Sequence, residues 1–392
     1  MKNVINDILK LNIDEMVNFN FDCECGKTHK VLIENIVVKE NGLRYLNEGL
    51  KEFKGKNIFL VADKNTYQVC GDKIEITLKT EGYNLNSYVF LTKNDLVPDE
   101  KSIGRLLIEI PKNTSLILAV GSGTINDICR FISYKLDIPY VIIATAPSMD
   151  GYASTVSPLI VEGFKITYEA IYPKSIIADT DILKEAPLEM IHAGFGDILG
   201  KYTSLTDWKL SKILNDEYYC QTTVNLVEKA RENCVENAEE IKKRSGKVIG
   251  QLTEALIISG IAIGFIGYSR PASGAEHHLA HYWEMAALSN NQPHPLHGNS
   301  VGAATLVISM IYQLMKNKIP KEINPPDPEF IISIHEKVGS VYNPKDLGIP
   351  KEVFADSIIH AREIRNRYTI LQLAYEYNLL EKFSKILTEK FY

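Results

Sequence analysis

SLILAVGSGTINDICR, residues 115–130, decides how this chain is read. The short apolar run SLILAV leads directly into Gly121-Ser122-Gly123-Thr124 and then into a helical pattern. Glycines at such a point allow a tight turn and close backbone approach to a phosphate. The N–H groups and dipole of the following helix N-terminus favour the anion. The third glycine of the usual dinucleotide fingerprint is missing, and Asn126 stands in its place. An ordinary glycine turn between strand and helix fits the same residues, so this segment alone leaves both readings open.

Strand signals continue on either side. Residues 57–62 (NIFLVA), 86–91 (NSYVFL) and 139–145 (PYVIIAT) are short apolar runs, with helical segments such as 124–136 between them. Apolar strands separated by helices predict a parallel sheet covered on both faces. Residues 158–161 and 165–170 flank Glu162-Gly163-Phe164 as a hairpin, and 175–178 returns to the sheet. Asp63 ends one of the strands. A carboxylate there can accept hydrogen bonds from a ribose diol and would repel a 2′-phosphate, which favours NAD over NADP. A helix N-cap is the equally good alternative for Asp63.

After Pro187 the pattern is almost purely helical, and proline suits the first turn of a helix. Residues 228–244 read as one charge-dense helix with a solvated face, and 320–328 as a proline-rich connector. The apolar stretch 255–268 is glycine-studded and too short to span a bilayer, so it reads as a buried helix. The expected architecture is an N-terminal α/β nucleotide-binding domain with a parallel sheet, residues 1–186. An all-α metal- and substrate-binding domain, residues 187–392, follows.

Length and composition agree with two domains. The chain has 392 residues, 45% hydrophobic and 23% charged, as expected of a globular protein rather than a disordered one. A formal net charge of -6 argues against a nucleic-acid partner, so an anionic ligand would need a local cationic site. No signal peptide follows Met1, and six scattered cysteines suit a reducing compartment. A cytoplasmic protein without membrane insertion is expected. Cys23, Cys25 and His29 have the chemistry of structural zinc ligands. Their spacing is short and no fourth ligand lies nearby in sequence, so a reduced hairpin turn at Gly26 is the expected reading.

The histidines carry the stronger chemical signal. Five of the nine fall between His277 and His297, where uniform scatter would place about half of one. A helix puts His277 and His281 on one face a turn apart, while His278 points elsewhere. His297 opens another apolar helix beyond a proline-bearing loop. Two imidazoles brought together across a loop suit a divalent metal, which needs a third ligand if one position is to stay open. Asp197, in GFGDILGK (194–201), is the candidate, because a carboxylate in an apolar, glycine-bearing helix is costly unless paired or ligated. Lys201 lies one turn further on the same face. A simple Asp–Lys helix pair and a set of satisfied histidines are the plainer alternatives.

Taken together, GSGTINDICR (121–130), GFGDILGK (194–201), and SRPASGAEHHLAH (269–281) with LHG (296–298) resemble the sn-glycerol-1-phosphate dehydrogenases. These stand within the wider group of iron-type alcohol dehydrogenases, glycerol dehydrogenases and dehydroquinate synthases. The likeness runs from about residue 35 to about residue 302, and CECGKTH (23–29) resembles the bacterial branch. The resemblance implies NAD or NADP and one Zn, Ni or Fe ion, with Asp197, His277 and His297 as metal ligands. It places Gly121, Ser122, Gly123 and Asp127 at the cofactor, with Thr124 in the same turn. It also places Thr145 and Ser148 at the cofactor and Asp150 at the substrate. Lys201 stands where the iron-type alcohol dehydrogenases carry a fourth, histidine ligand, which points away from simple alcohols and toward an anionic substrate.

The implied reaction is reversible, metal-dependent reduction of dihydroxyacetone phosphate to sn-glycerol 1-phosphate, a step of phospholipid metabolism. His281 is expected to relay a proton, and Lys201 and Arg270 to hold the phosphate, with a surface ion pair the equally good alternative for Arg270. A homodimer is expected. The alternatives are a glycerol dehydrogenase acting on unphosphorylated polyols, a dehydroquinate-synthase-type lyase, and a non-catalytic nucleotide-binding scaffold.

Overall fold

The computed structural model describes residues 8–92, 95–290 and 292–392. A small antiparallel hairpin, β1 (Asn20–Asp22) and β2 (Thr28–Lys30), comes first, turning at Gly26 with a positive φ of 86°. The main sheet follows, built from β3 (Asn35–Lys39), β4 (Asn57–Asp63), β5 (Asn84–Phe90), β6 (Leu116–Gly121), β7 (Tyr140–Ala144) and β10 (Ser175–Asp179). Its order is β3-β10-β7-β6-β4-β5, and every pair is parallel. The predicted hairpin is present as β8 (Val156–Val161) and β9 (Phe164–Glu169), outside the main sheet.

The parallel sheet is covered on both faces, as its unbroken apolar strands require. Phe59, Val61, Ile117, Ala119 and Ile142 belong to one apolar core, and Leu60, Leu116, Leu118, Val141 and Ile143 to the other. Alternate residues of each strand therefore feed opposite layers. Helix α1 (Asp72–Thr80) closes one layer through Ile74 and Leu78. Helices α2 (Glu100–Glu109) and α3 (Gly123–Leu136) close the other, through Leu106, Ile128 and Ile132. β3 was not anticipated. Its five residues give too short an apolar run, and its partner β10 lies about 140 residues later in the chain.

From residue 187 onward the described residues are helical or irregular, as expected. Helices α4 (Leu188–Leu199), α5 (Lys201–Asn215), α6 (Gln221–Glu236), α7 (Gly246–Ile266), α8 (Ala275–Ser289) and α9 (His297–Leu314) carry the site and its support. One expectation is corrected and another, the buried helix, is borne out with wider bounds. Residues 228–244 do not form one helix: α6 stops at Glu236, and the Asn237 side chain bonds back to the Asn233 carbonyl instead of continuing the ladder. The apolar stretch after Ala255 belongs to a longer helix, the 21-residue α7. By length and composition α7 would reach across a membrane, but most of it is buried inside the protein, against α4 and α6.

Candidate active site

Two sites meet at the C-terminal edge of the sheet. The chain leaves β4 toward β5 and returns on its other side as β6, so the connections diverge between β4 and β6. Ligands of open parallel sheets bind at such a switch point. Ala62 pairs with Val120, which sets Asp63 beside Gly121 at the strand ends. A Cβ on Gly121 would lie 2.6 Å from that of Ile125, so only glycine allows the turn to fold back this tightly. The Ser122 side chain does not cap α3, and the N-terminal N–H groups of this 14-residue helix face the turn uncapped by it. Asp63 caps the next short helix, with Oδ1 accepting from the N–H groups of Asn65 and Thr66. Its N-cap alternative is therefore realised, and its other oxygen is not used by that cap.

Asp127 lies on α3 beside Arg130, 3.2 Å away, and Arg130 also donates to the carbonyls of Val156 and Gly151. Burial pushes the Asp127 carboxyl up to about 7 against the pull of Arg130.

The second site lies where α4, α8 and α9 converge. One ligand atom each from Asp197, His277 and His297 lies within 4.8 Å of the others. His277 Nε2 is 3.4 Å from Asp197 Oδ1, and the His277 and His297 rings are 5.2 Å apart. Each imidazole is backed by a carboxylate. His277 Nδ1 donates to Glu276 Oε1 at 2.8 Å, and His297 Nδ1 donates to Glu284 Oε1 at 2.6 Å. With Nδ1 protonated, each Nε2 lone pair is free to ligate, the arrangement that orients histidines at metal sites. The Asp150 N–H donates to Asp197 Oδ2 at 3.0 Å, while Oδ1 is buried without a hydrogen-bond partner. An orphaned carboxylate oxygen facing two such imidazoles fits a divalent cation.

The charges agree. Burial works against ionised Asp197, but Lys201, His277 and His297 hold its carboxyl far below the usual range. Burial likewise opposes a charged His277, yet Asp197 and Glu276 draw its pKa upward. The same negative field would act on a bound cation. A second trio, His281, Glu284 and His297, is also close enough to ligate. Glu284 is already committed, with Oε2 2.7 Å from Lys165 Nζ and Oε1 on His297, so the Asp197 trio is the better-formed site.

Glycines make this convergence possible. A Cβ on Gly194 would sit 1.8 Å from the Pro147 oxygen, one on Gly196 2.2 Å from the Gly298 oxygen, and one on Gly298 1.8 Å from the Ala193 oxygen. The backbones of α4 and α9 thus touch directly, and the 145–150 segment lies against α4. Gly298→Ala is expected to lose stability at or above the ~3 kcal/mol upper end for overpacked cores, with weaker cation retention. Denaturant midpoints measure this, and an unchanged midpoint would show that the two helices part freely.

The 145–150 segment connects the two sites. The Thr145 N–H bonds the Gly121 carbonyl at 3.1 Å, and five residues later the Asp150 N–H bonds Asp197. Ser148 is buried midway along it. Asp150 Oδ2 accepts from Lys201 Nζ at 2.6 Å and Ser259 Oγ at 2.8 Å.

The two residues expected to hold phosphate, Lys201 and Arg270, both have carboxylate partners. Lys201 Nζ is wholly buried and bonded to Asp150 and the Ala272 carbonyl, with Asp197 3.6 Å away. Its ammonium thus lies between two carboxylates. Arg270 is buried in a two-pronged pair with Glu217, at 2.8 and 2.5 Å, and also holds the Tyr368 carbonyl.

Among the described residues two nearby cations, Arg365 and Arg367, lack a carboxylate partner, and Arg365 is the one that reaches His281; sequence reading missed both. Arg365 donates to Ser269 Oγ, Ser273 Oγ and His281 Nε2, at 3.2 to 3.3 Å. Among the described residues no carboxylate lies in salt-bridge range of it. Arg367 joins it on Ser269 and on the Ser273 carbonyl. His281 stacks on His297 at 5.0 Å, and burial with Lys165 nearby keeps its imidazole neutral.

Comparisons with known proteins identify the fold and the family. Residues 37–187 match the family model described as iron-containing alcohol dehydrogenase. Solved structures of similar fold include the Thermococcus thioreducens iron-containing alcohol dehydrogenase, at a TM-score of 0.68 and 15% identity, covering 92% of this chain and 99% of that one. Another is the Schizosaccharomyces pombe glycerol dehydrogenase, at 0.67 and 20%, covering 91% and 90%. The fold is thus that of the iron-type dehydrogenases.

Sequence relatives narrow this further. The glycerol-1-phosphate dehydrogenase [NAD(P)+] of Halalkalibacterium halodurans is 39% identical over 379 residues, covering 89% of this chain and 94% of that protein. The Bacillus subtilis protein of the same name is 34% identical, covering 89% and 93%. The chain belongs to the glycerol-1-phosphate dehydrogenase family.

Proposed function

We propose that the protein is a metal- and NAD(P)-dependent oxidoreductase that reduces dihydroxyacetone phosphate to sn-glycerol 1-phosphate, reversibly. One observation carries the reading: a single six-residue segment, 145–150, is hydrogen-bonded to the glycine turn at one end and to Asp197 at the other. The nucleotide and metal sites therefore sit within one short peptide of each other. The printed names of the relatives above support the substrate and cofactor.

Asp197, His277 and His297 would hold the cation, and a carboxylate with two imidazoles suits zinc, nickel or iron. When bound, the cation supplies Lewis-acid polarisation of the substrate carbonyl and the nicotinamide supplies hydride. Glu276 and Glu284 fix the tautomer of the two imidazoles. Lys201 and Ser259 hold Asp150 Oδ2, which leaves its other oxygen for a substrate hydroxyl. His281, neutral and adjacent to His297, is the group positioned to pass a proton. Arg365 receives the phosphate, since a buried guanidinium without a carboxylate calls for an anion. Gly121, Ser122, Gly123 and Thr124 receive the cofactor pyrophosphate at the N-terminus of α3, with Asp63 across the switch point for the ribose. Thr145, Ser148 and Asp127 complete that side of the cleft.

The test is NADH oxidation with dihydroxyacetone phosphate, with and without chelator, followed by chiral analysis of the product. Metal-dependent turnover yielding the sn-1 isomer is expected. Turnover that survives complete metal removal would overturn the reading.

A further inference from the structure

A second group of metal-ligating side chains lies apart from the active site. The hairpin β1–β2 brings Cys23, Cys25 and His29 together, and Cys220 joins them from the start of α6. One ligand atom from each lies within 4.8 Å of all the others. Sequence proximity offered three groups. The fourth comes from 191 residues beyond His29, so only the tertiary fold reveals it. We propose that Cys23, Cys25, His29 and Cys220 bind a structural zinc ion, separate from the catalytic cation, which ties the N-terminal hairpin to the helical half.

Three of the six ligand–ligand separations lie within a few tenths of an ångström of those of a zinc tetrahedron. Zinc–sulfur bonds of about 2.3 Å and zinc–nitrogen bonds of about 2.0 Å, at tetrahedral angles, put ligand atoms roughly 3.5–3.8 Å apart. Cys23 Sγ and Cys220 Sγ are 3.7 Å apart. His29 Nε2 lies 3.3 Å from both Cys25 Sγ and Cys220 Sγ. A disulfide would need sulfurs at about 2.05 Å, and all six cysteines are free.

The surroundings favour ligation over mere packing. His29 Nδ1 donates to the Phe265 carbonyl at 3.0 Å, which turns the Nε2 lone pair toward the sulfurs. The His29 ring stacks on Phe265 at 4.9 Å. Tyr218 Oη donates to Cys25 Sγ at 3.0 Å, and Thr223 donates to Cys220 Sγ through both its hydroxyl and its N–H. Donors converging on sulfur stabilise thiolates, the form that binds metal. The site has four protein ligands and no open position, as structural zinc sites do. It closes a loop between residues 23 and 220 that no disulfide closes.

Metal content and cobalt spectroscopy on the full-length protein test this. Protein purified under reducing conditions and dialysed against chelator is expected to retain one zinc per chain, released when a mercurial titrates the thiols. Cys220→Ser and His29→Ala are expected to lose that equivalent, whereas His297→Ala keeps it and loses the catalytic ion. Should the cysteine variants fail to fold, the cobalt-substituted native protein decides. Sulfur-to-cobalt charge-transfer absorption requires cysteine ligands, and the Asp197 site contains none. Absence of that band, an unchanged zinc count in Cys220→Ser, or a Cys23–Cys220 disulfide in peptide maps would each overturn the proposal.

Discussion

His297→Ala is expected to abolish measurable turnover and empty the catalytic site while leaving NADH binding near its native level. The imidazole is one of three ligands, and its Nδ1 is the group that Glu284 orients. Removing it also takes the hydrogen-bond donor from Glu284 Oε1, leaving Lys165 as that carboxylate's nearest strong partner. Electrostatic stabilisation of a developing oxyanion is commonly worth about 10²–10³ in rate for a single donor, and loss of a metal ligand removes the whole contribution. Nucleotide binding should survive, because the glycine turn belongs to the sheet and shares only the 145–150 segment with the metal site. Fluorescence titration with NADH and metal analysis on the same sample separate the two effects. A variant that binds its ion normally and still turns over would place the metal elsewhere.

Arg365→Ala is expected to raise KM for dihydroxyacetone phosphate by roughly 10- to 100-fold, the equivalent of one charge-assisted hydrogen-bonded contact of about 1.5–3 kcal/mol. Activity on unphosphorylated dihydroxyacetone should change far less. The guanidinium is held by two serine hydroxyls and an imidazole, which fix its position without neutralising it. Lys201→Ala provides the contrast. Its ammonium organises Asp150 beside Asp197, so its loss should damage both substrates alike. Equal losses on both substrates for Arg365→Ala would remove that residue from the phosphate site. Selective loss for Lys201→Ala would restore the role first read from the sequence.

Much of the fold was legible because its strongest signals are local. β6 and β7 are buried along their whole length and show as unbroken apolar runs. The β8–β9 hairpin carried its turn residues in plain sight. The convergence of Asp197, His277 and His297 was legible for a different reason: histidine clustering and a carboxylate among glycines are both compositionally improbable. What escaped depends on long-range approach or on ring orientation. Glu276 and Glu284 are near the histidines in sequence, but their roles follow from which imidazole nitrogen faces them. Arg365 reaches His281 across 84 positions, and Cys220 reaches Cys23 across 197. The ion pairs of Arg270 and Lys201 could be read only as alternatives, because a cation's partners cannot be counted until carboxylates from other elements are in place.

Gly196 and Gly298 hold α4 and α9 in backbone contact, and each is the immediate neighbour of a proposed ligand, Asp197 in one helix and His297 in the other. The gap between those two ligands is therefore gauged from main chain to main chain, with no compressible side-chain layer between. Repacking of the surrounding core, by substitution or by warming, would alter the bulk of the domain before it altered the bite angle offered to the ion.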